Sequence, residues 1–220
     1  MSLIPYIYYF VIYSFIGWMI EVVYISVREK KIVNRGFLNG PFTPIYGFGA
    51  VSIVLFSDMV TSEWLPVFLF GFFFLSAIEY VTSFMMEKIF GARWWSYYNE
   101  PFNLFGRVAF IYSFLWGISS VIFVYLVHPA VELFVSRWSN STAGMIIIGI
   151  IAFYFAADAA FSSIVAQKLC HDLPMDNRQD VTSLIKNLPF VQRRMAMAFP
   201  DLVSDLMDKW REKSFIIRKK

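Results

Sequence analysis

Five stretches of almost unbroken apolar residues divide the chain, at roughly Leu3–Val27, Pro44–Val60, Leu65–Met86, Val108–Val127 and Thr142–Ala166. A hydrocarbon core about 30 Å thick takes about 20 helical residues at about 1.5 Å each. Four stretches meet that length, whereas the second is shorter and carries Gly47 and Gly49. Each run is continuously apolar and does not alternate, so the pattern predicts helices and not strands. The fold class expected is all-α, a polytopic integral membrane helical bundle with about five transmembrane helices. Residues 1–166 form the predicted transmembrane domain and 167–220 a basic tail with short amphipathic helices.

Composition agrees. Apolar residues make up 58% of the chain and charged ones only 16%, and the mean hydropathy is +0.58. Soluble domains carry about 25% charged residues, so lipid must supply part of the solvent here. The net charge of +3 is too small to indicate nucleic acid, and none is expected as a partner. Cys170 is the single cysteine, which excludes an internal disulfide. His171 adjoins it, but nothing completes a metal-ligand spacing, so neither a metal nor another cofactor is expected. The first run has no basic leader and no small-x-small site after it, unlike a cleavable signal.

The positions of the charges predict orientation. Arg28, Lys30, Lys31 and Arg35 follow the first stretch, and Lys88, Arg93 and Arg107 lie between the third and fourth. The tail adds eleven basic residues from Lys168 to Lys220, so 18 of the 19 fall on one side and only Arg137 on the other. Basic loops stay in the cytoplasm, which predicts an outside N-terminus, an inside C-terminus and five spans. Of the outer segments, Thr61–Trp64 is a tight connection and His128–Ser141 is expected to lie in the interface, with His128 as an interfacial residue. In the tail, Pro174, Pro189 and Pro200 interrupt short helices. Pro200 and Asp201 make a helix start, Leu202, Leu206 and Trp210 share one face, and Lys209, Arg211 and Lys213 close the helix. Such a helix would either rest on anionic lipid or dock a partner.

Polar residues inside the apolar runs carry the candidate chemistry. Glu21, Glu79 and Asp158 lie at similar depths, roughly 9–12 Å beneath the predicted cytoplasmic boundary. A charged group near a helix centre costs about 2.5–3.5 kcal/mol on insertion scales. Three of them require pairing, protonation or a water-filled cavity. Arg35 and Arg107 are the nearest candidate partners, and Glu79, Ser83 and Glu87 make one polar stripe along the third run. The segments Asn34–Gly47 and Arg93–Arg107 mix Arg, Asn, Gly, Pro and aromatics, Asn39 and Asn103 among them. Such residues suit a phosphate or carboxylate group, and the two loops could fold back over the acidic layer. Asn39-Gly40-Pro41-Phe42 and Asn99-Glu100-Pro101-Phe102 echo each other after Glu21 and Glu79, although four residues are too few to establish a repeat.

The stretch Tyr13-Ser14-Phe15-Ile16-Gly17-Trp18 with Glu21, the loop from Asn34 to Gly47, and the segments Glu79–Glu87, Ala92–Trp95 and Pro101–Asn103 resemble the CmpB-type ABC transporter permease family, the type IV group. Arg193-Arg194 and Ala198-Phe199-Pro200 continue the resemblance in the tail. It covers about residues 5–130. It implies the membrane half of an ATP-driven transporter in a bacterial cytoplasmic membrane. The chain has no GxxxxGK[ST] phosphate loop, so any ATPase must be a separate subunit. Five helices are few for a permease, so an oligomer is expected, with membrane lipids as surroundings.

Three functions follow from these residues. In the first, a transport component uses Glu21, Glu79 and Asp158 to line a polar path. In the second, a membrane enzyme or binding protein acts on a lipid headgroup, with Glu21 or Glu79 as acid or base and Arg35 and Arg107 on the phosphate. No Ser-His pair or HExxH motif points to a particular reaction, so the chain is read as a transport component before an enzyme. The third is a scaffold recruiting partners through its tail.

Overall fold

The computed structural model describes residues 3–172 and 181–218. Five long helices dominate: α1 Ile4–Glu29, α2 Pro44–Met59, α3 Trp64–Phe90, α4 Phe110–Trp138 and α5 Thr142–Asp172. They follow the five apolar stretches, and α1 and α2 each begin with a proline in the first turn, where its missing N–H costs nothing. The protein is an all-α membrane bundle. By length and composition α1, α3, α4 and α5 can each cross a membrane, while α2 has 16 residues, about 24 Å of helix. The tail adds α6 Val181–Asn187, α7 Phe190–Ala198 and α8 Pro200–Arg218.

α3 and α4 each contain a five-residue π-helical turn, at Gly71–Leu75 and Phe123–Val127. The second one changes the expected layout. α4 does not stop at Val127 but continues through His128 and Pro129 to Trp138 as one 29-residue helix. His128 is buried, and its Nδ1 lies 2.7 Å from the Tyr13 hydroxyl of α1. It packs against Tyr9 and Phe123 as well. The expected interfacial histidine is therefore a helix-to-helix contact.

Small residues allow the closest approaches. A Cβ on Gly17 of α1 would stand 2.2 Å from the Tyr46 ring of α2, and one on Gly47 would stand 2.3 Å from Ser14 Oγ. Likewise Gly71 of α3 sits against Ser120 of α4, and Gly117 of α4 against Phe68 of α3. Lipid offers apolar side chains no reason to leave it, so membrane helices associate through such close packing. The bundle thus pairs α1 with α2 and α3 with α4.

Beyond the bundle, residues 93–109 fold into a compact loop. Its strands β1 Asn103–Leu104 and β2 Val108–Ala109 pair antiparallel, Asn103 opposite Ala109. The tail lies on this loop. Leu202, Val203 and Leu206 of α8 are buried in one cluster with Ala92, Trp94, Leu169 and Met195. The apolar face expected to meet lipid or a partner is thus covered largely by the chain itself, with Trp210 left half-buried. α8 starts at Pro200 as expected but runs past Lys213 to Arg218. Pro189 also falls at a helix break as expected, whereas Pro174 and Lys220 lie outside the described residues.

Candidate functional site

A cavity of about 960 Å³ opens among α1, α2, α3 and α4. It lies on the side carrying the long loops and the tail, with Phe37, Tyr97 and Phe199 among its lining. Glu21 and Glu79, on two of the helices long and apolar enough to cross a membrane, both line it. Glu79 is buried at 7% exposure and receives two hydrogen bonds. The Tyr97 hydroxyl donates to Oε1 and the Trp116 indole N–H to Oε2, each at 2.9 Å. Among the described residues, no cation stands within ion-pair distance of it. Glu21 has Tyr46 as a neighbour and pairs with Arg35 at 3.7 Å.

The arrangement follows from local sequence. Gly17 stands one helical turn before Glu21 and lets the Tyr46 ring lie on α1. That ring meets Trp116 edge-on, with centroids 5.6 Å apart, and so links the two helix pairs. In each pair an acid on the leading helix neighbours a polar aromatic of the following one: Tyr46 beside Glu21, Trp116 donating to Glu79. The short sequence echo after Glu21 and Glu79 accompanies this likeness. Tyr97 stacks on Tyr112 at 4.6 Å between centroids. Burial, then the neighbouring Glu79 charge, push the Tyr97 hydroxyl well above its ordinary range, so it remains a donor.

The remaining predicted residues separate into structural roles. Asp158 does not join the cavity. Its carboxylate accepts the backbone N–H of Asn39 at 3.2 Å and of Gly40 at 2.7 Å, with Ser162 Oγ at 3.2 Å. Asn39 adds a side-chain bond to Ser162. The three acids therefore split into two at the cavity and one that holds the first loop to α5.

Arg107 is also absent from the cavity lining. It is buried against Ser83, Tyr80 and Phe84 and pairs with Glu87 at 2.5 Å. Glu87 further meets Arg93 at 3.3 Å and Lys209 at 3.8 Å. Asn103 organises its own turn, donating to the Glu100 carbonyl and accepting from Gly106 N–H. Of the two arginines expected to grip a phosphate, only Arg35 reaches the cavity, already bound to Glu21 and donating to the Ala198 carbonyl at 3.0 Å. The geometry does not assemble the predicted phosphate clamp.

Sequence reasoning missed Tyr46, Tyr97 and Trp116, because an aromatic near a membrane surface needs no function to explain it. Their signal was a polar hydrogen beside an intramembrane acid with too few partners. It also missed Arg194, whose guanidinium donates to the carbonyls of Gly36 and Phe37. Burial lowers the Arg194 pKa, with Asp158 working against that shift. Among the described residues, no group of three His, Cys, Asp or Glu is placed to hold a metal ion.

A family model described as "Putative ABC-transporter type IV" matches residues 8–163, which include most of α1, all of α2 to α4 and both cavity acids. No curated protein and no solved structure matches the chain.

Proposed function

The chain belongs to the ABC-transporter type IV family, and we propose that it is a membrane component that binds a transported molecule in the cavity between Glu21 and Glu79. One observation carries this reading. Two carboxylates from different membrane helices border one large cavity, and the deeper one has aromatic donors but no counter-charge among the described residues. Intramembrane ionisable groups of that kind mark substrate and ion pathways. Glu87–Arg107 and Asp158–Gly40, by contrast, are satisfied within the protein and serve as structure.

In this reading the cavity faces the cytoplasm, because the basic loops surround it. The five helices span with the N-terminus outside, in a bacterial cytoplasmic membrane. Energy would come from a separate ATPase subunit, since the chain holds no phosphate loop. Gentle purification from native membrane followed by mass spectrometry tests it. A stoichiometric ATPase, together with a small molecule lost in Glu79→Gln, is the expected result. Purified protein with neither partner nor retained molecule would overturn the proposal.

A further inference from the structure

We propose that the cavity takes an amphiphilic cation: an alkylammonium head between Glu21 and Glu79, with an apolar tail directed toward the lipid. This rests on the reading of the cavity as the cargo site and names the chemistry it selects.

Charge is the first argument. Among the described residues, five acidic side chains line the cavity and three basic ones, Arg28, Lys31 and Arg35. The whole chain is net positive at +3, so the cavity is reversed relative to the protein around it. Arg35, moreover, is occupied by Glu21 and the Ala198 carbonyl. An anion would have to approach Glu79 without a free arginine beside it, at a cost that rises as water is excluded.

The second argument is the wall. Tyr46 with Trp116, and Tyr97 with Tyr112, form two aromatic pairs around the acids. Tyr97 and Trp116 donate their polar hydrogens to the Glu79 carboxylate, and Tyr46 lies beside Glu21. Those hydrogens are therefore spent on the acids, and what the aromatics offer a guest is mainly ring surface. Ring faces and carboxylates both attract an ammonium and repel an anion, which is the chemistry of an aromatic cage.

Shape supplies the tail. Small-molecule sites occupy about 300–1,000 Å³. A cavity of about 960 Å³ is therefore far larger than a small ammonium ion. Tyr24, Ile89 and Leu115 line it and are also 60%, 58% and 49% exposed, on helices that otherwise present apolar residues outward. They border openings through which a hydrocarbon chain would reach the bilayer.

The test uses the full chain in a neutral maltoside detergent, with Trp fluorescence as readout, since Trp95 and Trp116 line the cavity. Decyltrimethylammonium should bind, tetramethylammonium about tenfold or more weaker, and decyl sulfate should not compete. Glu79→Gln should weaken decyltrimethylammonium about tenfold or more. Its amide can still accept from Trp116, and Tyr97 can rotate to accept from it. Should that variant fail to fold, Glu21→Gln, at a position whose side chain is 26% exposed, should weaken the same probe. Phosphatidylethanolamine displaced by the probe would identify a lipid amine as the source, and binding of the probe without a displaced lipid a free cation. Decyl sulfate binding as well as the cation, unaffected by either substitution, would overturn the cation while leaving a cargo cavity. Tetramethylammonium binding as tightly as the decyl probe would overturn the tail. Failure of every probe to bind would remove both this proposal and the cargo reading beneath it.

Discussion

Gly40 donates its backbone N–H to Oδ2 of Asp158 across 2.7 Å, joining a loop to a helix 118 residues further along the chain. A Cβ on Gly40 would stand 2.9 Å from that oxygen and 2.5 Å from the Tyr154 hydroxyl. The position therefore excludes even alanine without movement. Asp158→Ala should lose charge-assisted bonds worth about 1.5–3 kcal/mol each, and Gly40→Ala should cost about 1–3 kcal/mol by overpacking. Denaturant titration in detergent checks both. Since they disrupt one contact, the double variant should fall well short of the sum. Full additivity would show that the contact is not made.

A second prediction concerns Glu87, which meets three cations. Its pair with Arg107 is the least exposed, at 10% for the arginine side chain and 24% for the glutamate. Glu87→Ala should strand a buried guanidinium and cost up to about 3–5 kcal/mol, at the lower end because Arg107 keeps Ser83 and two ring faces. Arg107→Met together with Glu87→Met should be far milder, since an ion pair replaced whole by apolar groups is often neutral. The two melting curves distinguish this from a cargo-binding role for Arg107, in which the double variant would lose ligand binding as well.

These two contacts show where the sequence was legible. The helices followed from hydropathy because lipid imposes one rule on every spanning segment. Depth along each helix placed Glu21, Glu79 and Asp158 at one level, but depth leaves the angle around the axis open. Asp158 turns to the first loop, whereas the other two turn to the cavity. Arg107 is expected near the acids from its place at a loop–helix junction on the same side, and its actual partner is Glu87, one of the residues of the stripe already noted. The long α4 was hidden because His128-Pro129 resembles a stop, while the π turn before it carries the helix onward. Tail contacts were illegible for another reason. A basic amphipathic helix has the same pattern whether it covers lipid, a partner or its own chain.

Orientation supplies a third prediction. If basic loops lie in the cytoplasm, Ser62 between α2 and α3 faces outward and Asn99 faces inward. With Cys170 replaced by serine, single cysteines at these positions should react with an impermeant maleimide from opposite sides of sealed vesicles. Reaction of both from one side would mean that α2 turns back within the membrane. At about 24 Å, α2 is short for a 30 Å core, so thinning or tilt of its neighbours would have to accommodate it.

Docking of the tail makes the last prediction. Leu202 is fully buried against the cluster that holds Trp94 and Met195. Polar bonds frame that cluster: Asp201 and Asp205 accept the backbone N–H of Ser96 and Arg93, and Lys209 donates to the Gly91 carbonyl at 2.9 Å. Phe199, Pro200 and Asp201 also line the cavity, so the same docking that buries α8 closes one wall of the site. Leu202→Asp would place an unpaired carboxylate there at a cost of several kcal/mol, enough to release the helix. Leu202→Met keeps the volume and should cost less than about 1.5 kcal/mol. Limited trypsin digestion should therefore cut after Lys209 and Arg211 much faster in Leu202→Asp than in Leu202→Met, with α1 to α5 left intact. Equal rates would mean that the tail stands away from the bundle in the membrane. A released tail that leaves decyltrimethylammonium affinity unchanged would show instead that the wall contributed by the tail is not part of the binding surface.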